Sequence, residues 1–109
     1  MKRKQNKYIV ILITAKDFDE ANRIAQKLVS FKLIACANII KDIKSIFWWE
    51  GKVDSSNEVL LILKSQEKLI EKIIKTVKSV HSYQVPEIIA LPIMAGNQDY
   101  LKWIDESVK

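Results

Sequence analysis

Every position from Tyr8 to Ile13 is apolar, and the run stops at Thr14. A short β-branched run without alternation predicts a central strand buried on both faces. Asp17 stands three residues before Glu20, the spacing of a capping box with Asp as the cap. Ala21, Ile24, Ala25 and Leu28 then recur at helical spacing, with Asn22, Arg23, Gln26 and Lys27 on the other side. That pattern predicts an amphipathic helix of about four turns. Apolar positions restart from Leu33 to Ile40 with no helical stripe, so a second strand is expected there. The intervening segment is then a right-handed crossover.

Between Ile39 and Lys64 both parities carry large side chains: Ile43, Phe47 and Trp49 on one, Ile46 and Trp48 on the other. Gly51-Lys52 and the stretch from Asp54 to Asn57 are turn candidates, and Val59 to Leu63 is again strand-like, which predicts a long hairpin. Leu69, Ile70, Ile73, Ile74, Val77 and Val80 form the stripe of a second helix over 66–80, with Ser65 as its N-cap. Pro86 biases Val85 to extended backbone, and a fourth strand is expected from Glu87 to Pro92. Gly96-Asn97 precedes a last helix with Tyr100, Leu101, Ile104 and Val108 inward. The order β-α-β-β-α-β plus a terminal helix is the split β-α-β, or ferredoxin-like, α+β pattern with an antiparallel sheet.

Geometry adds a constraint. A 109-residue globule has a diameter of roughly 34 Å, whereas a strand from Leu33 to Trp49 is about 56 Å long. The hairpin tip therefore projects, carrying Phe47, Trp48 and Trp49. Adjacent strand residues point to opposite faces, so one sheet cannot hide both tryptophans. Burying one such ring is worth roughly 2–4 kcal/mol. A second copy of the chain is the economical cover, and a projecting arm that docks on a neighbour closes into a ring. Phe47, Trp48 and Trp49 are the expected oligomer contacts.

Composition narrows the class. The chain is 49% hydrophobic and 28% charged with two Gly and two Pro, which excludes disorder and low-complexity tracts. One cysteine excludes an internal disulfide framework, fits a reducing compartment and leads to the expectation of a cytoplasmic protein. No apolar run reaches the 18 or so residues of a membrane span, and Tyr8 to Ile13 is too short for a signal core. Of the net charge of +5, Lys2, Arg3, Lys4 and Lys7 supply four. Residues 1–7 are thus expected to form a solvated basic tail, and 8–109 a single near-neutral domain without nucleic-acid affinity.

Four blocks carry a family resemblance. The segment 33–39 (LIACANI) is similar to LAACVNI, and 45–52 (SIFWWEGK) to a block in which Ser, Trp, Glu, Gly and Lys stand at the same places. His81-Ser82-Tyr83 followed by Pro86-Glu87-Ile88, and Gly96-Asn97 followed by Tyr100, Leu101 and Trp103, match two more. Together they resemble CutA, the divalent-cation tolerance proteins, from about Tyr8 to Val108. The resemblance implies a ferredoxin-like fold, an interlocked homotrimer similar to the P-II signalling proteins, and a link to tolerance of copper and other divalent cations. Two departures stand out. Ser82 replaces the family's usual Pro, and Ile13 and Val80 occupy places where some members carry Cys and His copper ligands.

A tight transition-metal site needs three or four converging N, S or O donors. This chain has one Cys and one His, so Cys36, His81 and Glu87 are the metal candidates, with symmetry-related copies supplying the remainder. Cys36 in its apolar run also behaves as a small core hydrophobe, and His81 at a helix C-terminus is favoured by the dipole alone. Tyr83, Lys64 and Glu87 near strand ends, with Glu50 at the hairpin tip, are candidates for a cleft between subunits. No nucleophile–base arrangement and no glycine-rich phosphate loop is present, so an enzyme is not expected. Two functions follow: a homotrimeric metal-tolerance protein without turnover, or a P-II-like trimer that binds a small ligand or partner in its clefts.

Overall fold

The computed structural model describes residues 7–109. The chain runs β1 (Tyr8–Ala15), α1 (Phe18–Ser30), β2 (Cys36–Trp49), β3 (Lys52–Gln66), a 3-10 turn (Glu67–Leu69), α2 (Ile70–Val80), β4 (Ile88–Pro92) and α3 (Gln98–Ser107). One four-stranded sheet has the order β2-β3-β1-β4, antiparallel throughout. This is the ferredoxin-like α+β topology. The basic stretch Lys2 to Lys4 lies outside the described residues; Lys7 is paired with Asp105 at 3.2 Å.

Alternation along the strands sends Ile9, Ile11 and Ile13 of β1 and Val59, Leu61 and Leu63 of β3 to one face, where all are buried. Ala21, Ile24 and Leu28 of α1 and Ile73 and Val77 of α2 complete that core. Asp17 caps α1 by accepting from the Glu20 N–H at 2.9 Å. The reciprocal half of the capping box is redirected, because the Glu20 carboxylate accepts from the Lys16 N–H at 3.1 Å. Asn97 caps α3 through the Asp99 N–H. Asp105 of α3 accepts from the Tyr8 hydroxyl at 2.8 Å and the Gln66 amide at 2.6 Å, which fixes that helix to the end of the sheet.

The opposite sheet face is covered only at its ends, by α3 at Tyr8 and Gln66 and by the loop after α2 at Thr14 and Glu58, and its middle is bare. Val10, Leu12, Leu60 and Ile62 are only half-buried, and Ile40, Ile89 and Leu91 are 44%, 52% and 48% exposed. The apolar run of β1 was expected to be covered on both sides, but the chain fully covers one and leaves the middle of the other open: both helices that span its crossovers pack on the same face.

Four local expectations are corrected. The hairpin turns at Glu50-Gly51, with φ of 51° and 80°, so Trp49 pairs with Lys52 and Asp54 to Asn57 belong to β3. Positive φ at both central residues is the type I′ geometry that matches strand twist. Ser65 is not a helix cap; it ends β3 and its hydroxyl donates to the Leu33 carbonyl at 2.6 Å, while a 3-10 turn leads into α2. Tyr100 is 41% exposed rather than inward, its hydroxyl 3.5 Å from the Cys36 sulfur. Cys36 itself is half-buried on the bare face, not in the core.

A bulge between Ile40 and Ile43 shifts the register of β2 by one residue, with Asp42 at φ 62°. Beyond it, Phe47 and Trp49 share a face with Asp54, Ser56 and Glu58, and Ile46 and Trp48 share the other with Val53. The longest dimension is 42 Å against the roughly 34 Å of a sphere-like globule. At the tip Trp48 is 74% and Trp49 49% exposed. Neither face of the hairpin hides its indole.

Candidate functional site

On the bare side of the sheet, the distal hairpin and the segment 83–87 face each other across a cleft of about 800 Å³. Its walls are aromatic and acidic: Phe47, Trp49 and Tyr83, with the carboxyl groups of Asp54, Glu58 and Glu87. Thr14 and Ser56 add hydroxyls, and among the described residues the lining includes no Lys or Arg. β2 and β3 supply one wall because the bulge turns Phe47 and Trp49 to the side of Glu58.

The other wall is held by a buried network centred on His81. His81 ends α2, its N–H donating to the Val77 carbonyl at 2.9 Å. Its Nε2 lies 2.8 Å from the Thr14 carbonyl oxygen, and its Nδ1 accepts from the Tyr83 N–H at 3.0 Å. A carbonyl only accepts, so the imidazole is neutral with its proton on Nε2. Glu20, 1% exposed, accepts from the Ser82 N–H at 2.8 Å and places an oxygen 3.9 Å from His81 Nδ1. Burial raises the Glu20 pKa, but the hydrogen bonds from Ser82 and Lys16 outweigh it and hold the carboxyl below its ordinary range. Tyr83 is thus fixed by its backbone at one end. At the other, its hydroxyl donates to Glu58 at 2.6 Å. Burial first, and then Glu58, push the Tyr83 hydroxyl well above the usual phenol range.

The residues singled out from the sequence fall in different places. Tyr83 and Glu87 line the cleft. Lys64 does not; it sits mid-sheet on the bare face, its ammonium donating to Asn38. Glu50 is exposed at the turn. Cys36 lies in the sheet row of Lys64 and Val10, whereas His81 abuts Thr14, four residues along β1 and so about 13 Å further on. Among the described residues no three His, Cys, Asp or Glu side chains gather as a metal site. Sequence reasoning missed Glu58 and treated Glu20 only as a helix-capping residue. Their signal was faint: a charged residue at the start of an apolar strand segment, and an acidic residue on the inner stripe of α1 beside Ala21 and Ile24.

Comparison with known proteins places this geometry. Residues 9–107 match the family model described as CutA1 divalent ion tolerance protein. The rice protein "Protein CutA 1, chloroplastic" is 45% identical over 101 residues; the alignment covers 93% of this chain but only 57% of that protein, little more than half its length. The crystal structure of CutA1 from Oryza sativa superposes with a TM-score of 0.93 at 43% identity, covering 96% of each chain. That of the periplasmic divalent cation tolerance protein CutA from Archaeoglobus fulgidus gives 0.91 at 44% identity, covering 94% of this chain and 99% of the other. The expectation of a cytoplasmic protein is overturned by these relatives, one chloroplastic and one periplasmic. A single cysteine and a short apolar run bear on disulfides and spans, and the same fold serves in several compartments. The match over 99 of 109 residues and the shared fold establish that this chain belongs to the CutA1 divalent ion tolerance family.

Proposed function

We propose that this chain serves in divalent-cation tolerance as a non-catalytic protein that works as a ring of three copies, with the cleft beside Tyr83 as its working site. The observation that carries the reading is the bare apolar middle of the sheet face, flanked by a projecting hairpin whose Trp48 and Trp49 remain 74% and 49% exposed. Apolar patches of this kind mark association surfaces. Copies stacked on this face would bring each cleft against a neighbour.

The donor set of one chain does not fit a tightly held metal. His81 has both nitrogens engaged, and Cys36 is far from it. A divalent cation, copper included, would instead be held between copies and weakly, with the exposed carboxylates of Glu87 and Glu50 as the open donors. The cleft itself favours a second reading, the binding of a small ligand. Three carboxylates, with no lysine or arginine beside them among the described residues, suit a cationic or neutral molecule better than a nucleotide or other anion.

Native mass measurement of the wild type and of Trp49→Ala tests the assembly. Three chain masses that fall to one in the variant are expected, and a wild type that stays single at high micromolar concentration overturns the reading. Calorimetric titration with Cu²⁺ then separates the two uses. Heat that weakens in Glu87→Gln favours cation binding; none, with thermal stabilisation by an organic amine, favours the ligand cleft.

A further inference from the structure

The only histidine of the chain occupies the place where metal chemistry would be sought, yet its surroundings commit it to something else. The ring is wholly buried, with side-chain exposure of 0%. A metal bond to imidazole nitrogen is about 2.0 Å long and needs a free lone pair. At Nε2 the proton points at the Thr14 carbonyl oxygen 2.8 Å away; at Nδ1 the lone pair already takes the Tyr83 N–H. Coordination at the first would displace the end of β1. At the second it would unfasten the loop that leads to Tyr83.

The groups around the ring serve one outcome. Thr14 of β1 orients Nε2, and Glu20 of α1 fastens the Ser82 N–H. Nδ1 then fastens the next N–H, that of Tyr83, and the Tyr83 ring lies 4.7 Å from the imidazole, tilted by 48°. From that position the Tyr83 hydroxyl reaches Glu58, buried in the cleft wall. Two successive fastenings on a short loop leave the tyrosine little freedom. Ser82 supplies the N–H that Glu20 needs, an N–H that a proline in its place would lack.

We propose that His81 is a positioning residue: as a neutral Nε2–H imidazole it sets Tyr83 against Glu58 at the cleft, and it is not a metal ligand. The consequence for function rests on the cleft being the working site; the state of the ring does not.

Imidazole ¹⁵N correlation spectra of the intact protein test it directly, with Zn²⁺ as a diamagnetic probe. The Nε2–H tautomer is expected, with its shifts unchanged at one equivalent of zinc per chain. A coordination shift at either nitrogen, or the other tautomer, overturns the proposal. Hydrogen exchange in His81→Ala supplies the positioning readout: exchange at the Tyr83 amide should rise at least tenfold while Ile11 and Leu61 stay protected. Unchanged protection at Tyr83 would overturn it. Should that variant fail to fold, Tyr83 labelled at Cζ in His81→Gln decides: a Cζ shift like that of Glu58→Ala, in which the hydroxyl has lost its acceptor, supports the proposal, and a wild-type shift overturns it. None of these outcomes depends on whether the cleft binds anything, so failure of the functional reading would be seen separately.

Discussion

The Tyr83 hydroxyl donates to the Glu58 carboxylate at 2.6 Å, joining the loop after α2 to the middle of β3 across 25 residues of sequence. Glu58 is 8% exposed, so this bond satisfies a charge-bearing group that has little water. Removing one partner of such a pair costs more than the bond itself contributes. Tyr83→Phe is therefore expected to lower stability by about 1–3 kcal/mol. Urea denaturation at fixed chain concentration measures it, since association would otherwise contribute. A change under 0.3 kcal/mol would show that Glu58 finds water.

The same hydroxyl gives an alkaline signature. Its pKa is raised by burial and by Glu58, so the neutral form is favoured in the folded state. Its share of stability is complete below the unfolded tyrosine value of about 10 and is lost as pH climbs above it. Tyr83→Phe should remove that part of the alkaline decline, which denaturant midpoints between pH 9 and 11 would reveal.

Glu20 behaves in the opposite sense. Its folded pKa is depressed, chiefly through Ser82 and Lys16 acting against burial. The stability it gives is present above the unfolded value of about 4.3 and disappears as pH falls through the folded pKa. Glu20→Gln should lower stability at pH 7 and flatten its fall below pH 4. Parallel acid titrations followed by circular dichroism compare the two.

Ile89 separates a lone chain from an assembly. At 52% exposure, Ile89→Glu in a monomer would change stability by no more than about 0.5 kcal/mol. Against a second copy it would bury an unpaired carboxylate and break the contact. Sedimentation of the variant at the concentration where the wild type is oligomeric should give single chains.

The hairpin turn offers a gain. Glu50 adopts φ 51°, a left-handed conformation that costs most residues about 1–2 kcal/mol and Asn less. Glu50→Asn creates the Asn-Gly pair preferred in type I′ turns and should stabilise by about 0.5 kcal/mol, visible as a higher melting temperature.

Much of this fold is written locally. The stripe Ala21, Ile24, Leu28 gave α1, the Asp17 cap gave its start, and the apolar runs gave β1 and the core of β3, because period and capping are properties of neighbours in sequence. The turn was harder. Asp54 to Asn57 are turn-forming by composition, yet they extend β3 because pairing with Lys44 to Phe47 provides backbone partners they would otherwise lack. Ser65 likewise prefers the Leu33 carbonyl to a cap. The site was legible only in part: Tyr83 and Glu87 were found, while Glu58 and Glu20 become functional neighbours only across 25 and 62 residues.

By itself the sequence determined the order of the elements, the α+β class, the reach of the hairpin and the family to which the chain belongs, since all of these rest on periodicity and on residue blocks in register. The tertiary structure alone decided that the middle of one sheet face stays bare, that a bulge turns Phe47 and Trp49 toward Glu58, and that His81 spends both nitrogens on Thr14 and Tyr83. The physical reason is that hydrogen-bond partners and burial are settled by which segments meet in space, and a strand run apolar on both faces looks the same whether its second cover comes from its own chain or from elsewhere.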